Sequence, residues 1–143
     1  MSSKMNHVRH GTGSVRSYLY GGLDLPEFVE YVFNGVELER HQFSERSYHV
    51  ETQVRDSAIV IEAGDLPADI VATISSVYLY VDDVEATYAR ALELGATAVA
   101  EPEDKPYDER AAGVKVRFGN IWWISHYHAA EHALAADRNW ETR

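Results

Sequence analysis

The hydrophobic and polar positions of this chain run through the same succession of periods twice. The run SVRSYLY, ending at Tyr20, is rich in β-branched and aromatic residues and predicts a strand. Leu25, Phe28, Val29, Val32 and Val36 then recur at the i, i+3/4, i+7 spacing of a core-facing helix. Asp24 stands ready to cap it, with Glu27 completing a capping box and Pro26 in the tolerant first turn. VELERHQF, SYHVETQV and SAIVIEA follow as three strands, the last two separated by a turn at Arg55-Asp56. The second half repeats the order. SVYLYV predicts a strand, and Val84, Tyr88, Ala91, Leu92 and Gly95 predict a helix capped by Asp83 and stopped at Gly95. TAVAE, GVKVRF and NIWWISHY are its three later strands.

The halves also share letters. Tyr-Leu-Tyr occurs at Tyr18–Tyr20 and again at Tyr78–Tyr80, and each copy leads into an acidic turn, a helix and a glycine, Gly35 or Gly95. Two copies are too few for a solenoid and suit a duplicated βαβββ half-domain. GDLPADIVAT links the halves. EPEDKPYDERAAG is polar, carries two prolines and predicts a mobile flap or pocket lip.

At 143 residues the chain is long enough for one domain with a real core. No apolar run approaches the ~20 residues of a membrane span, and the N-terminus lacks the apolar stretch of a signal peptide. The absence of cysteine excludes disulfides and thiolate chemistry and fits a cytoplasmic setting. A net charge of −10 repels phosphate backbones, so neither nucleic acid nor membrane is an expected partner. There is no P-loop, dinucleotide fingerprint or nucleophile elbow.

The second half, with its V-D-D-V segment, E-P-x-D-x-P-Y-x-x-R loop and F-G-N-x-W-x-I strand, resembles the glyoxalase-like subgroup of the vicinal oxygen chelate superfamily. The first half is similar through its Y-L-Y and H-V-E strands, so the resemblance runs from Val15 to His128. It implies an α+β fold in which two βαβββ modules form a U-shaped, open-barrel mixed sheet. Residues 1–14 would then be a flexible tail and 15–128 a single domain. Module one would cover about 15–64, the linker 64–73 and module two about 74–128, with a helix or tail at 129–143.

Many members of that superfamily hold a divalent metal on the concave face, with ligands from the first and last strand of each module. Carried over one at a time, those positions fall on Arg16, about Ile59, Ser76 and Trp123. A guanidinium repels a cation, an indole only donates, isoleucine offers nothing and serine alone is feeble. The resemblance therefore implies a metal-free member with no cofactor.

Strand alternation would place Arg16, Tyr18 and Tyr20, then Ser76, Tyr78 and Tyr80, then Ile121, Trp123 and Ser125 on the concave face, with Trp122 and Ile124 against the helices. Such a pocket suits a flat aromatic ligand whose anionic or carbonyl group pairs with Arg16. His49, Glu51 and Gln53 share one strand face, which holds either a His49–Glu51 acid–base pair or plain exposed polarity; in a catalyst, that pair or a tyrosine, Tyr18 or Tyr78, would be the acid–base group. Tyr107 and Arg110 are either ligand contacts or part of a salt bridge with Asp108 or Glu109. His126, His128 and His132, with Glu131, form either a Zn or Ni site or a set of surface imidazoles, and match no known metal motif. Trp140 would suit a partner subunit.

The expected protein is a homodimer that binds a small aromatic molecule without metal, for sequestration, antibiotic resistance or metal-free conversion in secondary metabolism. One alternative is a metal-dependent lyase, isomerase or dioxygenase with unusual ligands among His49, Glu51, Glu62 and the terminal histidines. The other is an interaction protein with a filled cavity.

Overall fold

The computed structural model describes residues 7–11, 13–66 and 73–128. Module one consists of β1 (Tyr18–Gly21), α1 (Leu25–Phe33), β2 (Val36–Ser44), β3 (Ser47–Val54) and β4 (Ser57–Gly64). Module two repeats it as β5 (Ser76–Tyr80), α2 (Val84–Glu93), β6 (Thr97–Lys105), β7 (Glu109–Lys115) and β8 (Ile121–Tyr127). Each module is a four-stranded mixed sheet, ordered β1-β4-β3-β2 or β5-β8-β7-β6. The first strand pairs with the last in parallel, and the other pairs are antiparallel. No helix among the described residues is long and apolar enough to cross a membrane.

Both helices begin where the sequence places their caps, by different means. Asp83 accepts from the Ala86 amide at 3.0 Å and caps α2 directly. The Asp24 side chain makes no cap bond to α1, and Arg117 holds its carboxylate at 2.7 Å instead. Asn34, left-handed at φ 59, ends α1 before Gly35. The chain then turns, so Val36 leaves the helical stripe and opens β2 as an exposed residue. Gly35 is needed for space, since a Cβ there would meet Thr52 Cγ2 at 2.8 Å.

The long second loop of the sequence reading is mostly strand. β6 and β7 pair as far as Lys105↔Glu109, which leaves only residues 106–108 as the turn, with Asp108 at φ 64. The ladder slips between Ala98 and Ala100 and again between Ala100 and Glu103. The second slip takes in Pro102, which has no amide to donate.

One core serves both modules. α1 buries Leu25, Phe28, Val29, Val32 and Phe33. Phe33 and Phe28 reach across to Trp122 of β8, with ring centroids 4.8 and 6.3 Å away. Trp122 is 1% exposed. Arg90 of α2 donates to the Val32 carbonyl at 2.8 Å, serving one of the terminal acceptors of α1. Asn120, fully buried, donates to the Tyr20 carbonyl at 2.8 Å and accepts from the Ser75 amide at 3.1 Å. The helices and the apolar sheet faces thus share the interior, and each sheet turns its other face away from it.

Candidate functional site

Strand alternation sorts the side chains of module one cleanly. Leu19, Val50, Thr52, Val54, Ile59, Ile61 and Ala63 are buried on the helix side. Residues opposite one another across the sheet share a face, so the register gives two rows on the other side. One is Tyr18, Val60, Glu51 and Glu39; the next is Tyr20, Glu62, His49 and His41.

These rows form a continuous polar network. The Tyr18 hydroxyl donates to Glu62 Oε2 at 2.9 Å. His49 bridges two carboxylates, with Nδ1 2.6 Å from Glu62 Oε2 and Nε2 3.2 Å from Glu51 Oε2. Arg16 donates to Glu51 Oε1 at 3.0 Å and to the Gly13 carbonyl at 3.1 Å. The N-terminal turn Arg9–Gly11 closes over the other end. There Arg9 grips Glu39, and His10 Nε2 lies 3.0 Å from Glu39 and 3.6 Å from Glu51. Burial disfavours the His49 imidazolium, but the bonds to Glu62 and Glu51 outweigh it and raise its pKa. Burial and the Glu62 carboxylate both raise the pKa of Tyr18, which stays a phenol. Arg9 holds Glu39 down to about 2.

His10, Glu39 and Glu51 offer ligand atoms within 4.8 Å of one another, close enough for a divalent ion. The same carboxylates already carry guanidinium groups, Arg9 on Glu39 and Arg16 on Glu51. An incoming cation would have to displace both.

Module two builds its face differently. Here the rows are Tyr78, Trp123, Gly113 and Ala100, then Tyr80, Ser125, Ala111 and Glu103. Glu109, 7% exposed, accepts from the hydroxyls of Tyr78, Tyr80 (2.8 Å) and Ser125 (2.7 Å). Burial would raise its pKa, but the three donors outweigh burial and lower it. Burial and the same carboxylate push Tyr78 up to about 12. The Trp123 indole lies against Gly113, where a Cβ would come within 2.5 Å of Cζ3.

Tyr18 and Tyr20 line a cavity of about 370 Å³ with Phe43 and Glu62. Tyr80 lines a second, of about 580 Å³, with Glu109, Tyr127 and Arg55. Tyr18, Tyr78 and Tyr80 are each about half exposed, at 50%, 48% and 51%. Ser76 is exposed and Ile121 partly so, on the Trp123 side of the sheet. Arg110 lies on the helix side and pairs with Glu85 at 2.6 Å and Asp104 at 3.1 Å, away from the tyrosines. Tyr107 is exposed in the β6–β7 turn. Ile59 faces the core, and Val60 stands where Trp123 stands in module two, because Tyr18 pairs with Val60 as Tyr78 pairs with Trp123. His126 Nδ1 lies 2.9 Å from the Val81 carbonyl, on the helix side. Glu131, His132 and Trp140 lie outside the described residues.

Sequence reasoning missed Glu109 as the centre of a hydroxyl cluster, because it treated the residue as part of a loop. The signal was the short turn after Lys105, which sets Glu109 opposite Tyr127. It also missed Phe43 and the docking of Arg9 and His10.

The sequence profile of the Glyoxalase/Bleomycin resistance protein/Dioxygenase superfamily matches residues 24–124. Among solved structures the fold is similar to TioX from Micromonospora sp. ML1, with TM-score 0.62 at 20% identity over 80% of this chain and 95% of that one. It is also similar to a fosfomycin resistance protein, FosX, from Mesorhizobium loti, with TM-score 0.54 at 20% identity over 83% and 94%. A domain of the same superfamily from Frankia sp. EAN1pec gives 0.62 at 12% identity over 82% and 98%. No curated protein matches the sequence.

Proposed function

We propose that this chain, which belongs to the glyoxalase/bleomycin resistance protein/dioxygenase superfamily, binds a small organic molecule with an aromatic body, without a metal ion. One observation carries the proposal. Each sheet turns outward a tyrosine pair backed by a carboxylate, while the positions that resemblance assigns to metal ligands hold Arg16, Ser76 and Trp123, and the register puts Val60 in place of Ile59 at the fourth. Those four side chains give a divalent cation almost nothing to bind. Tyrosine faces give a flat molecule a large apolar contact and hydroxyls to orient it.

A homodimer completes the site. Tyr18, Tyr78 and Tyr80 are half exposed on faces turned from the core, so enclosing a ligand needs a second surface. The module-two face of another copy supplies it. Capture alone would serve sequestration or antibiotic resistance, and the likeness to a fosfomycin resistance protein is a precedent at the level of fold only.

The chain Tyr18–Glu62–His49–Glu51 favours a second reading, conversion of the bound molecule. Tyr18, kept protonated, would be the acid and His49 the group that exchanges the proton.

Metal analysis of the purified protein, with binding of aromatic probes measured before and after chelation and mass measured in solution, tests the proposal. The expected protein is a metal-poor dimer whose binding chelation leaves unchanged. Stoichiometric Zn, Ni, Mn or Fe, lost together with binding, overturns the metal-free reading. A monomer that binds at full affinity overturns closure by a second copy.

A further inference from the structure

We infer that the ligand taken by the module-one face is an organic cation, an amine or quaternary ammonium on a compact apolar body. This deepens the proposed function and rests on it. The cavity of about 370 Å³ on this face has aromatic walls, Tyr18, Tyr20 and Phe43, and carboxylates at Glu62 and Asp65. Tyr18 and Tyr20 meet edge to face at 5.3 Å and 78°, so their ring faces point in different directions. Phe43 stands on β2, edge-on to His41 at 4.9 Å, and is 63% exposed. Aromatic faces around a carboxylate attract a cation through both the ring quadrupole and the full charge.

The charges of this face point the same way. Its guanidinium groups are already engaged, Arg16 with Glu51 and the Gly13 carbonyl, and Arg9 with Glu39. Arg46 pairs with Asp65 at 3.4 Å at the exposed rim. An anion entering here would meet the Glu62 carboxylate, whereas a cation would share that carboxylate with His49 and Tyr18. The facing chemistry in module two repeats the theme: Tyr78 and Tyr80, edge to face at 5.6 Å and 68°, share the buried Glu109 carboxylate. The net charge of −10 draws cations toward both.

Calorimetric titration of the intact protein with benzyltrimethylammonium, 4-toluenesulfonate and benzyl alcohol tests the inference by charge at similar size. The cation is expected to bind saturably and at least about tenfold more tightly than the other two, a difference of about 1.4 kcal/mol. Phe43→Ala, at an exposed position, is expected to weaken the cation about fivefold, and Glu62→Gln about tenfold. Circular dichroism of both variants establishes that they fold. Equal or tighter binding of the anion or the alcohol overturns the cation inference and leaves the proposed function standing. So does a cation affinity that neither folded variant changes. Failure of all three probes to bind overturns both.

Discussion

Replacing Glu109 by Gln isolates the charge at the centre of the module-two face. The side chain keeps its shape, but an acceptor shared by Tyr78, Tyr80 and Ser125 loses its negative charge and gains an amide donor. A hydrogen bond to an ionised group contributes ~1.5–3 kcal/mol against ~0.5–1.5 for a neutral one, so each of the three loses ~1 kcal/mol. Both tyrosines are half exposed and water replaces part of that loss, which leaves ~2 kcal/mol. In a chain of this size that is a fall in Tm of roughly 6 °C. Urea unfolding measures it directly, and ultraviolet titration of the tyrosines adds a local readout. Tyr78, held up at about 12 by burial and by Glu109, should ionise nearer the ordinary value in the variant. The pH dependence has a definite sign. Because folding lowers the Glu109 pKa, its contribution is complete above the unfolded value of ~4.3 and is lost as pH falls through the folded one. The stability gap between wild type and variant is therefore constant near neutrality and closes on acidification. A variant within about 0.5 kcal/mol of wild type at pH 7, with an unchanged tyrosine titration, refutes an ionised Glu109 held by its three donors.

Adjacent tryptophans should behave differently. Trp122→Ala empties the shared core and should cost ~3–5 kcal/mol in denaturant unfolding, whereas Trp123→Ala on the outer face should cost well under half as much. Gly113→Ala puts a methyl group into the Trp123 ring and should destabilise by ~1–3 kcal/mol with a shift in tryptophan emission. Combining it with Trp123→Ala should remove most of that penalty, and simple additivity of the two would show that they do not touch. Benzyltrimethylammonium affinity should rise with pH as His49 loses its proton. The imidazolium, set between Glu62 and Glu51 and opposite His41, with Tyr18, Arg16, Arg9 and His10 on the same carboxylates, cancels the charge the ligand needs. An affinity that falls with rising pH, or a profile that His49→Gln leaves unchanged, rules this out.

The fold was legible because period and punctuation agree. Strand alternation in SYHVETQV and NIWWISHY, the helical stripes, and the glycine after α2 each fix a local structure, and the repeat of Tyr-Leu-Tyr ties them to one duplicated topology. Where single residues decide the outcome, the pattern ran out. Asp24 has the spacing of a capping box, yet Arg117, far away in sequence, takes its carboxylate, and a local motif carries no trace of a distant guanidinium. EPEDKPYDERAAG looks like a loop because prolines and charges are poor strand formers. It pairs nonetheless, since β7 continues inward as a buried strand and its ladder holds β6 as an edge that tolerates both. That difference reaches the site. A flap would have put Tyr107 and Arg110 over the ligand, whereas a tight turn sends Arg110 to the α2 end of the sheet and brings Glu109 under the tyrosines. The charge of the site changes with it. Arg16, read from sequence as the anchor for an anionic group, is held by Glu51, and the residues facing outward between the aromatic rings are carboxylates. Alternation gives the face of each side chain but not its partner. For a binding site, the partners that folding gives each charge decide the ligand.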